Sequence, residues 1–200
     1  MKTSRKIATY LIGKDPKMAL VIGDKYIIER NGESEPFMAL VDAIVSQQIS
    51  AKVADVLVNR LKARCGGELT AGRLKRLKDE EIRALGISTA KIKYLRSLTE
   101  AVDDKTLDLA NIHRRSDEEI IAELLQVKGI GPWTAEMFLL FCLERKDVFS
   151  PLDAALVRAI SHWYYKDKEV SKKQLLRVSG KWAPYRSYAC IYLWESLKRF

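Results

Sequence analysis

Histidine and cysteine are scarce in this chain, with two of the first and three of the second in 200 residues. Cys65, Cys142 and Cys190 are far apart. An odd, scattered set supports neither a disulfide framework nor a zinc or iron–sulfur site. They read as small buried hydrophobes in a reducing compartment. His113 and His162 stand alone in the sequence, so each reads as a surface or core histidine, not a metal ligand or an acid–base catalyst. No apolar run approaches the roughly 20 residues that cross a bilayer, and no secretory pattern opens the chain. The cytoplasm is the default expectation. Low-complexity tracts are also absent. Acidic residues are in the minority, 26 against 35 basic, for a net charge of +9. That excess favours a polyanionic partner, nucleic acid first and an anionic membrane surface second.

What is present is almost entirely helical patterning, in an ordinary globular composition of 48% hydrophobic and 30% charged residues. A short helix is expected over 16–22, opened by Asp15-Pro16. In "EPFMALVDAIVSQQIS", Phe37, Leu40, Val41, Ile44 and Val45 fall on one helical face. "AKVADVLVNRLKARCGG" repeats the pattern and stops at Gly66-Gly67. Further helices are expected in "KDEEIRALGIS", "TAKIKYLRSLTEAV", "SDEEIIAELLQV", "PWTAEMFLLFCLER", "LDAALVRAISHWYY", "SKKQLLRVSGKW" and "PYRSYACIYLWESLKRF". Ser116 reads as an N-cap followed by an acidic first turn. Residues 25–35 read as a loop or a brief extended segment, and 104–116 as an irregular connection between lobes. The expectation is an all-α domain of about nine or ten helices.

One joint stands out. In "LLQVKGIGPWTAEM" two apolar helical runs meet at Lys128, Gly129, Ile130, Gly131 and Pro132. Gly129 and Gly131 permit positive φ and close backbone approach, and Pro132 suits the first position of a helix. Backbone amides at such a helix start can bind a phosphate without any side chain. A plain helix–turn–helix corner fits the same residues.

The longer stretch "LLQVKGIGPWTAEMFLLF" resembles the helix-hairpin-helix of the DNA base-excision glycosylase superfamily. There the hairpin is followed by a Gly/Pro-rich loop and an aspartate. Here "DVFSPLDAALVRAI" supplies Asp147, Phe149, Pro151 and then Asp153, twenty-two residues after Gly131. The chain is most similar to the alkylation-repair branch, the 3-methyladenine DNA glycosylase II group, on three further segments. These are "DPKMALVI", "DAIVSQQIS" and "KWAPYRSYACIYLW", the last with Tyr185 where Trp is common. The resemblance runs from about residue 14 to 195. It implies a two-lobed all-α glycosylase fold with a helix-hairpin-helix and a Gly/Pro-Asp loop. Approximately residues 36–110 would form one lobe, and 1–35 with 111–200 the other.

The resemblance also implies chemistry. Breaking an N-glycosidic bond builds positive charge on the sugar, and a nearby carboxylate stabilises it and positions the attacking water. Asp153 matches the family's aspartate. It sits before the helix "AALVRAI", where the dipole and free amides suit a carboxylate; the plain alternative is an ordinary N-cap. A second Asp, often found immediately before, is replaced by Leu152. The lysine of bifunctional members is replaced by Trp133, which implies a monofunctional enzyme that leaves an abasic site. An extruded cationic base would stack on aromatics. Trp133 and Met137 match pocket positions, but tyrosines common in the branch are here Met137 and Ala154. Tyr26, Phe37 and Trp182 are candidates to make up the difference. Gln48, in the Gln47-Gln48-Ile49 loop, matches the wedge that fills the gap in the stack; a polar helix end is the alternative. Lys128, Gly129, Gly131 and Thr134 match DNA-contacting positions. In related hairpins carbonyls hold a monovalent cation, which implies a structural Na+ or K+ at Gln126, Val127 and Ile130 and no other cofactor. The basic runs "RLKARCGGELTAGRLKRLK" and "SKKQLLR" fit a phosphate track or solvated helix faces equally well.

The expected partner is duplex DNA with alkylated bases such as 3-methyladenine, bound by a monomer, nucleoid-associated if the source is prokaryotic. Two rivals fit the same residues, a glycosylase of the same fold for deaminated or oxidised bases and a non-catalytic module that binds damaged DNA; a third, a plain helical interaction protein, leaves the +9 charge and the Pro-x-Asp spacing unexplained.

Overall fold

The computed structural model describes residues 2–24 and 35–200. The expected loop over 25–35 and Tyr26 therefore fall almost wholly outside the described residues. Among those described there are twelve α-helices and no strand. The chain divides into a central unit, Glu33–Phe138, and a terminal unit made of Met1–Gly32 and Leu139–Phe200.

The central unit is built on α3 (Pro36–Ser46), α4 (Ala51–Arg64) and α7 (Thr89–Asp103), with α3 packed on both of the others. The five predicted residues of α3, Phe37, Leu40, Val41, Ile44 and Val45, are its buried face. Each contributes about 2 kcal/mol of transfer free energy, as an upper estimate. Short helices α5 (Ala71–Arg76) and α6 (Asp79–Ala84) pack on α7, and α8 (Asp117–Leu124) packs on α9 (Pro132–Met137). Ser116 caps α8 in a capping box: its hydroxyl accepts from Glu119 N at 3.2 Å, and the Glu119 carboxylate accepts from Ser116 N at 2.8 Å.

In the terminal unit α12 (Arg186–Ser196) is the core helix. It packs on α10 (Ala154–Tyr165) and α2 (Met18–Ile22), and α1 (Lys2–Lys14) packs on α2. Asp15, 2% exposed, accepts from Tyr164 Oη at 2.8 Å and from Trp182 Nε1 at 3.2 Å, which ties the α1–α2 corner to the far end of α10. Burial, with Asp15 beside it, pushes the Tyr164 phenol up, so it remains a donor. A last helix, α11 (Lys172–Ser179), carries a Ser171/Gln174 capping box.

Four expectations change. Helices α1 and α5 are additions. α5 offers one buried residue, Leu74, and is opened by Thr70, whose hydroxyl accepts from Arg73 N at 3.3 Å. Six residues are too few to display a period. "PWTAEMFLLFCLER" is not one α-helix: α9 ends at Met137 and the backbone widens into π-type turns over Phe138–Cys142. Its apolar residues run on without a polar face, so no pattern marks the break. The segment 104–116 is irregular apart from a 3-10 turn at Ile112–Arg114, but it connects α7 to α8 inside the central unit. Residues 111–138 accordingly group with 36–110 and not with the C-terminal segment.

Candidate functional site

In the central unit the hairpin is assembled from main chain. α8 closes at Leu124, and the turn runs through Gln126 to Gly131 before Pro132 opens α9 at its first position. Val127 and Ile130 are buried, at 1% and 5% exposure, while Lys128 between them is exposed. Ile130 N donates to Val127 O at 3.0 Å, and Lys128 N donates to Ser97 Oγ of α7 at 2.9 Å.

The two glycines are there for different reasons. Gly129 has φ +92, and a Cβ on it would lie 2.3 Å from Tyr94 Cγ. It must be glycine for its backbone and for the ring packed beneath it. Gly131 does not use the positive φ that glycine permits: its φ is −100, which any residue adopts. A Cβ on it would meet nothing within 4 Å. What glycine provides there is an uncovered backbone at the start of α9. With only six residues in α9, the aggregate dipole is small, so the local amides matter more than the helix behind them.

Trp133 is 46% exposed, so it is a surface aromatic and not core filling. Met137 is half-buried. Thr134 is 8% exposed; with its side chain covered, the part of it suited to a phosphate is the N–H in the first turn of α9. The turn after α3 places Gln48 at φ +58 with its side chain exposed. A non-glycine residue in the left-handed region carries some strain, but Gln48 follows the C-cap Gln47, where helices often end in this conformation, so the backbone fits a presented tip and a polar helix end alike. Beside it Gln47 Nε2 donates to Gly129 O at 2.8 Å.

The basic run across α4 and α5 is partly spent within the fold. Arg64 pairs with Glu81, Lys75 with Asp103, and Arg73 with Glu68 at 2.9 Å. These contacts favour solvated helix faces over a phosphate track. In α11, Arg177 donates to Tyr165 Oη at 3.4 Å.

In the terminal unit the aspartate is assembled from side chains. Asp153 is the N-cap of α10 and is 7% exposed. Its Oδ1 accepts from Leu156 N at 2.7 Å and from Trp194 Nε1 at 3.1 Å. Trp194 in turn stacks on Phe141, with ring centroids 5.5 Å apart and planes at 23°. Sequence reading did not single out Trp194 or Phe141; Trp194 closes the C-terminal motif that carries the family resemblance.

The start of that motif anchors the loop before Asp153. Arg186 grips Asp147 with Nε to Oδ1 at 2.8 Å and Nη2 to Oδ2 at 2.9 Å, and its backbone N reaches Oδ1 at 3.1 Å. Ser187 Oγ donates to Arg145 O at 2.6 Å and accepts from Val148 N at 2.9 Å. Partial burial works to raise the Asp147 carboxyl, but the Arg186 donors and charge outweigh it and hold its pKa below the usual carboxylate value.

Phe37 and Trp182 are not surfaces on which an extruded base could stack. Phe37 is 4% exposed within the α3 core, and Trp182 is fully buried with its indole committed to Asp15. Cys190 is buried, and burial, with Asp153 nearby, pushes its thiol up, which makes it inert. All three cysteines are free and buried, as expected. His162 pairs with Asp167 at 2.9 Å and stacks on Phe200, so it is not an isolated side chain. No group of His, Cys, Asp and Glu able to hold a metal occurs among the described residues, and none of the described helices is long and apolar enough to cross a membrane.

Comparison with known proteins agrees with this geometry. Residues 41–184 match the family model described as HhH-GPD superfamily base excision DNA repair protein. The chain is 35% identical to DNA-3-methyladenine glycosylase 1 of Schizosaccharomyces pombe over 83% of its own length and 74% of that protein. It is 34% identical to the DNA-3-methyladenine glycosylase of Saccharomyces cerevisiae over 84% of its length, but spans only 62% of that protein. Among solved structures, a DNA-3-methyladenine glycosidase from Bacillus halodurans superimposes with a TM-score of 0.88 at 34% identity, covering 95% of this chain and 88% of that one. The S. pombe 3-methyladenine DNA glycosylase in complex with abasic DNA gives 0.84 at 33% identity, covering 96% and 97%. The hairpin, the aspartate loop and the C-terminal motif all fall within or beside the matched region, and the chain belongs to the HhH-GPD superfamily of base excision DNA repair proteins.

Proposed function

We propose that this chain is a monofunctional DNA glycosylase that extrudes alkylated bases such as 3-methyladenine from duplex DNA and hydrolyses their N-glycosidic bond. The observation that carries the chemistry is Asp153. Its carboxylate is fixed by the Leu156 amide and the Trp194 indole, beside a ring stack of Trp194 and Phe141. As the bond from C1′ to the base breaks, the electron pair leaves with the base and positive charge collects on the sugar. A fixed carboxylate stabilises that charge without reorganising, positions water for addition at C1′ and accepts the proton that the water gives up. The products are the free base and an abasic site. An alkylated purine is already cationic and leaves as a neutral base, so a strong general acid is dispensable. With Trp133 where bifunctional members carry lysine, no amine is available at that position to form a Schiff base.

The hairpin's role in this reading is to grip a phosphate through the backbone at Gly129 and Gly131, helped by Lys128. Gln48 would fill the gap left by the extruded base, and Trp133 offers it an exposed aromatic surface. The carbonyls of Gln126, Val127 and Ile130 are hard oxygen donors that suit Na+ or K+. Val127 O accepts one hydrogen bond and retains a second lone pair. Such an ion would brace the hairpin against a phosphate and take no part in bond cleavage. The fission yeast relative, solved with abasic DNA, carries the kind of product this reaction leaves.

The test is release of free bases from methylated duplex DNA, followed by chromatography, with wild type and Asp153→Asn compared. Release of 3-methyladenine by wild type, with an intact abasic strand left behind, is the expected result. Absence of release by the folded wild type overturns the reading and favours a module that only binds damaged DNA. Release confined to deaminated or oxidised bases overturns the substrate class.

A further inference from the structure

The wedge turn and the hairpin lie 82 residues apart in sequence, between Gln47 and Gly129, yet they are fastened to each other. The wedge turn is held at three points. Lys91 Nζ donates to Val45 O at 2.7 Å, near the C-terminal end of α3. Ile49 N donates to Ser46 O at 3.3 Å. Gln47 Nε2 donates to Gly129 O at 2.8 Å. Between these ties Gln48 projects at φ +58, exposed.

The hairpin is held from the same side. Lys91, Tyr94 and Ser97 recur every three residues along α7, so they share a face of that helix. Lys91 takes the wedge turn, Tyr94 underlies Gly129, and Ser97 takes the Lys128 amide. One helix face thus templates both devices, and the Gln47 amide is the direct link between them. An amide fits this position because it must donate to a carbonyl. A carboxylate of the same size would oppose the Gly129 oxygen with another acceptor.

We infer that Gln47 is a positioning residue that clasps the Gln48 turn to the Gly129 carbonyl, so that phosphate capture by the hairpin and insertion of the wedge occur as one event. The inference rests on the glycosylase reading above. Gln47 itself need touch neither the extruded base nor the reacting atoms. When the clasp is intact, a phosphate drawn onto the hairpin brings Gln48 to a fixed depth in the stack. When it is lost, the hairpin still binds DNA, but Gln48 must find its place independently.

The experiment uses the whole chain and a duplex carrying 2-aminopurine beside a stable abasic-site analogue, in which fluorescence reports local unstacking. Gln47→Met keeps the length and removes the donor. It is expected to slow the unstacking step about tenfold, the order of one hydrogen bond, while affinity for undamaged duplex stays within about twofold. Gln47→Glu is expected to lose at least as much, and serves if the methionine variant folds poorly. The decisive arm is the double variant. Once Gln48→Ala has removed the wedge, Gln47→Met should add less than about twofold, because a residue acting through Gln48 has nothing left to position. A full tenfold loss in that background, or unchanged unstacking in Gln47→Met, overturns the clasp and leaves Gln47 a plain loop tie. Failure of the wild type to unstack the duplex overturns the glycosylase reading itself.

Discussion

The two units solve different physical problems with different material. In the central unit the proposed DNA-gripping parts are backbone: a turn at Gly129, the main chain of Gly131 with no side chain over it, and carbonyls at Gln126, Val127 and Ile130. In the terminal unit the proposed chemistry rests on side chains: the Asp153 carboxylate, the Trp194 indole that donates to it, and the Arg186–Asp147 pair that fixes the loop before it. Backbone recognition tolerates changes of side chain but not of conformation. Side-chain chemistry has the reverse sensitivity. Substitutions in the hairpin should therefore appear in folding and DNA affinity, and those around Asp153 in the rate of base release.

The largest expected effect tests the second half of that contrast. Asp153→Asn keeps a good helix cap and removes the charge, so base release should fall at least about a hundredfold while thermal unfolding changes little. A small loss of rate in a folded variant would remove Asp153 from the chemistry. Next comes the pair of glycines. Gly129→Ala forces a Cβ into Tyr94 at φ +92 and should destabilise the fold by about 3 kcal/mol, read by denaturant unfolding. Gly131→Val meets no such obstacle, so its stability should stay near wild type while affinity for duplex DNA drops. If the two variants behave alike, the assignment of one glycine to the fold and the other to the ligand is wrong.

A smaller effect is expected from Trp194→Phe, which preserves a ring against Phe141 but removes the donor to Asp153. Base release should slow about tenfold with little change in DNA affinity, the signature of a group that serves the chemical step. The smallest concerns Asp147. Its folded pKa is held below the unfolded value, so its stabilisation is present above the ordinary carboxylate range and fades as pH falls through the folded value. Both partners are about a third exposed, with side-chain exposures of 37% for Arg186 and 33% for Asp147. Solvent screening therefore limits the gain to about 1 kcal/mol. Wild type should exceed Asp147→Asn by that amount at neutral pH, and the difference should close as the solution is acidified below about pH 4.

Local pattern made much of the fold legible. The buried stripe of α3 and the Ser116 cap depend on residues within a few positions of one another, and both appear as read. The same holds for the N-cap position of Asp153. The family resemblance located the hairpin and the aspartate. What pattern did not reveal depends on distance. The tie from Trp194 to Asp153 spans 41 residues and that from Gln47 to Gly129 spans 82, so neither has a local signature. The break after Met137 falls in a run where nearly every residue is apolar, and a periodicity cannot register a widened turn there. Gly129 and Gly131 look alike in sequence because glycine signals freedom of φ and absence of a side chain with the same letter; the fold uses the first at Gly129 and only the second at Gly131.

Asp153 also has a consequence for how the sequence can drift. Groups that do chemistry usually sit at some cost to their own fold, so inactive variants are often the more stable ones. Here the same carboxylate closes the first turn of α10. Replacing it with alanine forfeits the cap, about 1 kcal/mol, as well as the charge. On the proposed role, selection for stability and selection for activity press on this position in the same direction, and asparagine would be the narrow exit to a stable chain that no longer releases bases.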